Sequence, residues 1–165
     1  RTASFRSGGV TVTTLSILPD DLSSPDVQAL IVAHLDGMHA TSPAESVHAL
    51  DLGALRHPSI SFFAARVDGE LAGIGALRTI DHVSGELKSM RVAPAFLGRG
   101  IGRALLQHLI AESRSRGFSS LWLETGSTPD FLPAVRLYES EGFAVTGPFG
   151  DYREDPFSIF MTRTL

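Results

Sequence analysis

The chain has 165 residues, enough for one well-buried core and short for two domains. Hydrophobic residues make up 43% and charged residues 19%, and the formal net charge is −4 with arginines scattered along the chain. That balance excludes the dense basic face of a nucleic-acid binder, and the lack of cysteine excludes disulfides, thiolate metal sites and cysteine nucleophiles.

Residues 1–11, with Gly8-Gly9 and several Ser and Thr, read as a flexible arm or an edge strand ahead of a single domain over 12–165. Val12 to Leu18 is predicted as a strand ending at Pro19. Ser24-Pro25-Asp26 has the form of a helix start, a capping Ser followed by Pro at the first helical position. Val27, Leu30, Ile31, His34 and Leu35 follow at helical spacing, with Gly37 expected to end that helix. A second short helix is expected from Thr41-Ser42-Pro43 through Val47, Leu50 and Leu52. Ser59–Val67 and Glu70–Arg78 read as a hairpin across Asp68-Gly69, a strong short-turn signal.

A strand through Met90 comes next, then a helix from Gly100 to about Arg116 closed by Gly117. Its apolar face holds Ile101, Leu105, Leu106, Leu109 and Ile110. Ser120–Glu124 reads as a strand, Phe131–Ser140 as a helix, and Gly142–Val145 and Phe157–Thr162 as the last strands. The pattern predicts a mixed sheet with helices on both faces.

The stretch Leu97-Gly98-Arg99-Gly100-Ile101-Gly102-Arg103, between that strand and helix, carries the chemistry. Small residues let backbone N–H groups approach a ligand, and the helix adds its unpaired N–H groups and the positive end of its dipole. The combination suits a phosphate or pyrophosphate. A dinucleotide-binding fingerprint does not fit, since counting from Gly98 the third glycine position holds Arg103. A P-loop would need Gly-Lys-Ser/Thr, which is absent. Three glycines in five residues are costly at a helix start unless the backbone has to be exposed.

Met90-Arg91-Val92-Ala93-Pro94, the Gly98–Gly102 loop and Ala134-Val135-Arg136-Leu137-Tyr138-Glu139-Ser140-Glu141-Gly142-Phe143 together resemble the GNAT superfamily of acetyl-CoA-dependent acyltransferases. The resemblance covers Thr11 to Leu165 and is closest to a small bacterial, uncharacterised subgroup. It implies a GNAT-like acyl-CoA N-acyltransferase fold, an α/β (α+β) arrangement with a mostly antiparallel twisted sheet and helices on both faces. It also implies acetyl-CoA as donor, with CoA as product. Two positions depart from the family pattern. Leu97 stands where Gln or Arg is usual, and Phe131 where an Asn often contacts the pantetheine arm.

By that resemblance the amine attacks directly through a tetrahedral intermediate, with no acyl-enzyme. Met90, Arg91 and Val92 border the cofactor, and an N–H near Val92 polarises the carbonyl. Amides from Gly98 to Arg103 hold the pyrophosphate, and Phe131 and Ala134 line the arm. Arg99 and Arg103 add charge there or are solvated surface. Tyr138 occupies the position of a phenol that serves as general acid to the sulfur, and is otherwise a core tyrosine.

The general base is left between Glu86 and Glu124. Lys88 shares a strand face with Glu86 and would weaken it as a base if paired with it. Substrate contacts are expected from Ser42, Glu45 and His48 near the first helices. Tyr152, with Asp151, Arg153 and Asp155, would add others from the loop before the last strand. The same residues are also what a wet loop looks like.

The six histidines show no His-x-x-x-His pair with a nearby carboxylate, so no metal is expected. The expected function is acetyl transfer to a primary amine of a small molecule. The alternatives are an acyl-CoA sensor without transfer activity and an enzyme acting on peptide or protein amines. Neither a membrane-length apolar run nor a signal peptide's apolar segment is present, so a cytoplasmic monomer or homodimer is expected, with no nucleic-acid or membrane partner.

Overall fold

A computed structural model of the chain describes residues 2–6 and 12–165. The strands are β1 (Thr2–Arg6), β2 (Val12–Pro19), β3 (Ile60–Val67), β4 (Glu70–Thr79), β5 (Ser84–Val92), β6 (Ser120–Gly126), β7 (Ala144–Thr146) and β8 (Ser158–Thr164). The helices are α1 (Pro25–Thr41), α2 (Leu52–Leu55), α3 (Ile101–Ser115) and α4 (Leu132–Ser140). Among the described residues the strands form one sheet in the order β1-β2-β3-β4-β5-β6-β8-β7. Every neighbouring pair there is antiparallel except β5–β6.

Alternation along the central strands divides the core in two. Phe63, Ala65 and Val67 of β3 and Leu77 of β4 meet Leu105, Leu109 and Ile110 of α3 on one face. Phe62 and Ala64 of β3 and Ile74 and Ala76 of β4 meet Val27, Leu30 and Ile31 of α1 and Leu55 of α2 on the other. Successive strand side chains point to opposite faces, so one run of apolar residues serves both layers. Leu105, Leu106 and Leu109 are completely buried, each worth about 1.5–3 kcal/mol. The Asp68-Gly69 turn has φ 50° and 86°, the left-handed pair that a tight hairpin needs.

One pair of alternatives is decided and two expectations are corrected. Part of the stretch read as an arm or an edge strand is an edge strand: β1 pairs with β2 from Thr2↔Ser16 to Arg6↔Val12, which gives its backbone groups partners. Residues 1 and 7–11 of that stretch lie outside the described residues. Secondly, α1 runs through Gly37 to Thr41. A Cβ at Gly37 would stand 2.9 Å from the Arg91 guanidinium, so this glycine admits a side chain from β5 rather than ending the helix. Thirdly, the helix expected from Thr41 to Leu52 is a single 3-10 turn at Ala44–Ser46, and α2 starts later. The Asp51 side chain caps α2 by accepting the Ala54 N–H at 2.8 Å, which fixes where it begins. Residues 47–51 are left non-helical and carry His48 across to β6.

Candidate active site

The site lies where β5 and β6 part. These parallel strands are in register from Ser84↔Ser120 to Leu87↔Leu123 and no further. β6 continues beside β8 to Gly126↔Ser158. β5 continues beside β4 but bulges: Ala76 pairs with Lys88 and Ile74 with Arg91, leaving Ser89 and Met90 opposite Gly75 alone. Ser89 adopts φ 55° there, a left-handed conformation that costs a residue with a Cβ about 1–2 kcal/mol. Strain of this kind is held at sites where the surroundings over-determine it. The Ser89 hydroxyl is also buried without a hydrogen-bond partner among the described residues.

The parting opens an inner cleft of about 110 Å³, lined by His34, His48, Glu86, Lys88, Met90, Glu124, Phe131, Ala134 and Tyr138 among others. Beside it lies an outer cavity of about 540 Å³, with Glu45, His48, Arg78, Lys88, Tyr152 and Arg153 in its wall. His48 and Lys88 belong to both.

The glycine loop opens α3 at the C-terminal end of β5. A Cβ on Gly102 would touch Leu137 of α4 at 3.4 Å and Val92 of β5 at 3.5 Å, so the helix start is wedged between them. Gly98 and Gly100 have φ 75° and 79°, and Gly100 is the N-cap. The Ala104 N–H makes the bond back to Gly100, so those of Ile101, Gly102 and Arg103 have no partner within the helix. Arg99 lies over the Phe96 ring at 5.0 Å, and Leu97 is exposed. Arg103 is ion-paired with Glu141, which also accepts from Gln107. The Arg91 side chain packs against α1 at Gly37. Phe131 covers Gly126, where even a Cβ would fall 2.2 Å from its ring, so apolar packing closes the end of β6.

A polar network forms the wall between the two spaces. Glu86 is 1% exposed and accepts from Arg78 Nε at 2.8 Å, Lys88 Nζ at 3.3 Å and the Tyr152 hydroxyl at 2.5 Å. Lys88 also donates to the Tyr152 hydroxyl at 2.8 Å. Burial, reinforced by the Glu86 charge, pushes the Tyr152 phenol upward. Tyr152 packs edge-on against Phe149 at 4.9 Å and against His48 at 5.2 Å, which fastens its loop to the site.

Glu124 accepts from Ser158 Oγ at 3.0 Å, and both its oxygens lie 2.7–2.8 Å from His48 Nδ1. A carboxylate only accepts, so Nδ1 carries the proton and a neutral ring keeps its lone pair on Nε2. Tyr138 is buried, and desolvation pushes its hydroxyl up to about 12, so it stays protonated at neutral pH. Burial, with the Arg91 charge, lowers His34 to about 4.

The inner cleft thus gathers Glu86, Met90, Glu124, Phe131, Ala134 and Tyr138, while Glu45 and Tyr152 face the outer cavity and His48 borders both. Ser42 lines neither and ends α1, its N–H bonded to Met38. Sequence reasoning missed Arg78, His34 and Ser158. Arg78 was within reach, because it stands directly opposite Glu86 once the short β4–β5 connection sets the register. Nothing local points to the His48–Glu124 pair, which is 76 residues apart.

The acetyltransferase (GNAT) family pattern matches residues 27–143. The chain is 49% identical over 146 residues to the uncharacterised N-acetyltransferase YsnE of Bacillus subtilis, covering 88% of this chain and 97% of that one. It is 46% identical over 150 residues to the uncharacterised N-acetyltransferase YedL of Escherichia coli, covering 91% and 94%. Its fold matches a GNAT family acetyltransferase from Elizabethkingia anophelis, solved with acetyl-CoA bound, with a TM-score of 0.68 and 21% identity over 92% of this chain and 98% of that one. The chain belongs to the acetyltransferase (GNAT) family of acyl-CoA-dependent transferases.

Proposed function

We propose that the protein moves the acetyl group of acetyl-CoA to a primary amine of a small molecule, by direct attack with both bound at once. The observation that carries this reading is the meeting of the inner cleft and the outer cavity at His48 and Lys88. A donor in one space and an acceptor in the other touch there without a covalent stop on the protein.

The residues fit a CoA thioester. The orphaned Ser89 hydroxyl, the parted edge of β5 and the amides of residues 101–103 are polar groups in want of partners. Gly98 and Gly100 leave the loop open, since a Cβ on either would meet nothing within 4 Å. The bound molecule supplies an acyl group already activated as a thioester. The β5 backbone from Glu86 to Met90 borders the cleft, and its N–H groups polarise a carbonyl held there.

Tyr138 keeps its proton until a departing sulfur needs it. His48, fixed in its tautomer by Glu124, offers Nε2 to the proton of the incoming amine. This gives Glu124 a role through His48 rather than as a direct base. Glu86, held by three donors, positions Arg78, Lys88 and Tyr152.

The test is thermal stability with acetyl-CoA, CoA, NAD and ATP in parallel, followed by free-thiol release over a panel of amines. A ligand at 100 times its dissociation constant adds about 2.7 kcal/mol. Acetyl-CoA and CoA are expected to raise the melting temperature while NAD and ATP do not. A larger shift with a nucleotide would withdraw the reading.

A further inference from the structure

The outer cavity has an uneven charge pattern that narrows the acceptor, provided the acetyl-transfer reading above holds. Its wall toward the inner cleft holds two cations, Arg78 and Lys88, around one carboxylate, Glu86. Glu86 is 1% exposed, spends both oxygens on its partners and does not line the outer cavity, so on that side it lies behind them and the wall carries one positive charge in excess. The Lys88 side chain is only 9% exposed, so its charge is poorly screened by water.

Arg78 is engaged only through Nε among the described residues, and with 38% of its side chain exposed it turns the rest of its guanidinium to the cavity. An unspent guanidinium edge beside a buried ammonium is a receptor for a planar anion. Arg153 lines the same cavity.

Two further facts set the size of that charge. Only one positive charge of that wall is uncompensated; Arg153 is the one further cation of the lining, and Glu45, Asp151, Glu154 and Asp155 line the same space. A dianion would meet those carboxylates with too little to offset it, so a phosphate is disfavoured against a monoanion. A polyamine would satisfy the acids but leave the Arg78–Lys88 wall without a partner and bring more cations up to it. The reacting amine must meet His48 where the two spaces join, beside Lys88, whose charge favours the neutral, nucleophilic form of an amine.

We infer that the acceptor carries a carboxylate, seated on the free edge of Arg78 next to Lys88 with its amine toward His48. The substrate class is therefore an amino acid or a comparable small amino carboxylate. Arg78 is the specificity-determining residue.

The experiment uses the full chain with acetyl-CoA and follows free thiol. Acceptors are compared in pairs that differ only in the carboxylate: alanine against alaninamide and lysine against lysinamide, with spermidine as the polycation. The amino acids are expected to show kcat/KM at least about tenfold above their amides, carried by KM, the value of one charge-assisted hydrogen bond. In Arg78→Gln that ratio should fall to near one, and Arg78→Lys should restore part of it. Because it is a ratio within one preparation, it does not depend on how much of the variant is folded. Amides or spermidine outperforming the amino acids, or a ratio unchanged in Arg78→Gln, overturns the inference and leaves acetyl transfer standing. Thiol release from no acceptor at all overturns both.

Discussion

Tyr138 and His34 line the same cleft, and burial moves each toward its neutral form. For Tyr138 the consequence is kinetic. Loss of the hydroxyl in Tyr138→Phe should lower kcat by roughly 10²–10⁴-fold, with the thermal shift given by acetyl-CoA retained. Turnover close to the unmodified protein would end the general-acid role.

For His34 the consequence is thermodynamic. Its value falls from 6.5 to about 4 on folding, so between those limits the unfolded chain binds more protons than the folded one. Stability should therefore decline as pH falls from about 6.5 to about 4, and His34→Asn should flatten that slope in melting curves. Asp26, held low at about 2 chiefly by Arg66, loses its contribution at lower pH, below its ordinary value of 3.8, so the two effects separate. An unaltered slope in His34→Asn would assign the decline elsewhere. Of these residues Tyr138 was legible because its motif is local. His34 reads only as part of a helical stripe, since its neighbour Arg91 arrives from another element.

Secondary elements were legible wherever their own residues decide the matter. The hairpin turn, the α3 apolar face and the start of α3 after the glycine loop all take the form that their patterns predict. Where a partner decides, local rules fail. Gly37 has the look of a helix stop but serves to admit Arg91, and Arg103 looks free for a phosphate but is paired with Glu141 of the segment after α4. The glycine loop also yields a clean test of backbone strain. A Cβ on Gly100 meets nothing within 4 Å, yet its φ of 79° disfavours any side chain. Gly100→Ala should cost about 1–2 kcal/mol from conformation alone, read as a lower denaturation midpoint with unchanged m-value. A neutral result would show that the loop takes another conformation in solution.

A mixed, mostly antiparallel sheet with helices on both faces follows from the chain pattern together with the family resemblance. The point where β5 and β6 separate does not, because it depends on a bulge at Ser89 that no sequence period announces. The two apolar layers share β3 and β4, with alternate residues of each strand serving opposite faces. Neither layer keeps its floor if the other melts. Chemical denaturation should therefore show a single transition, with Trp122 fluorescence on β6 coinciding with the loss of far-ultraviolet dichroism. Displaced curves would mean that the layer under α1 and α2 opens independently.

The early end of the β5–β6 pairing has one more effect. An open strand margin on a protein's outside invites a second chain to dock along it, and proteins shorten or charge such margins to prevent this. Here the bare margin opens into a cleft of about 110 Å³ roofed by α4 and walled by His48, too small to receive a folded neighbour's strand. That margin thus keeps adhesive backbone available to a slender guest while staying closed to a strand of a second copy.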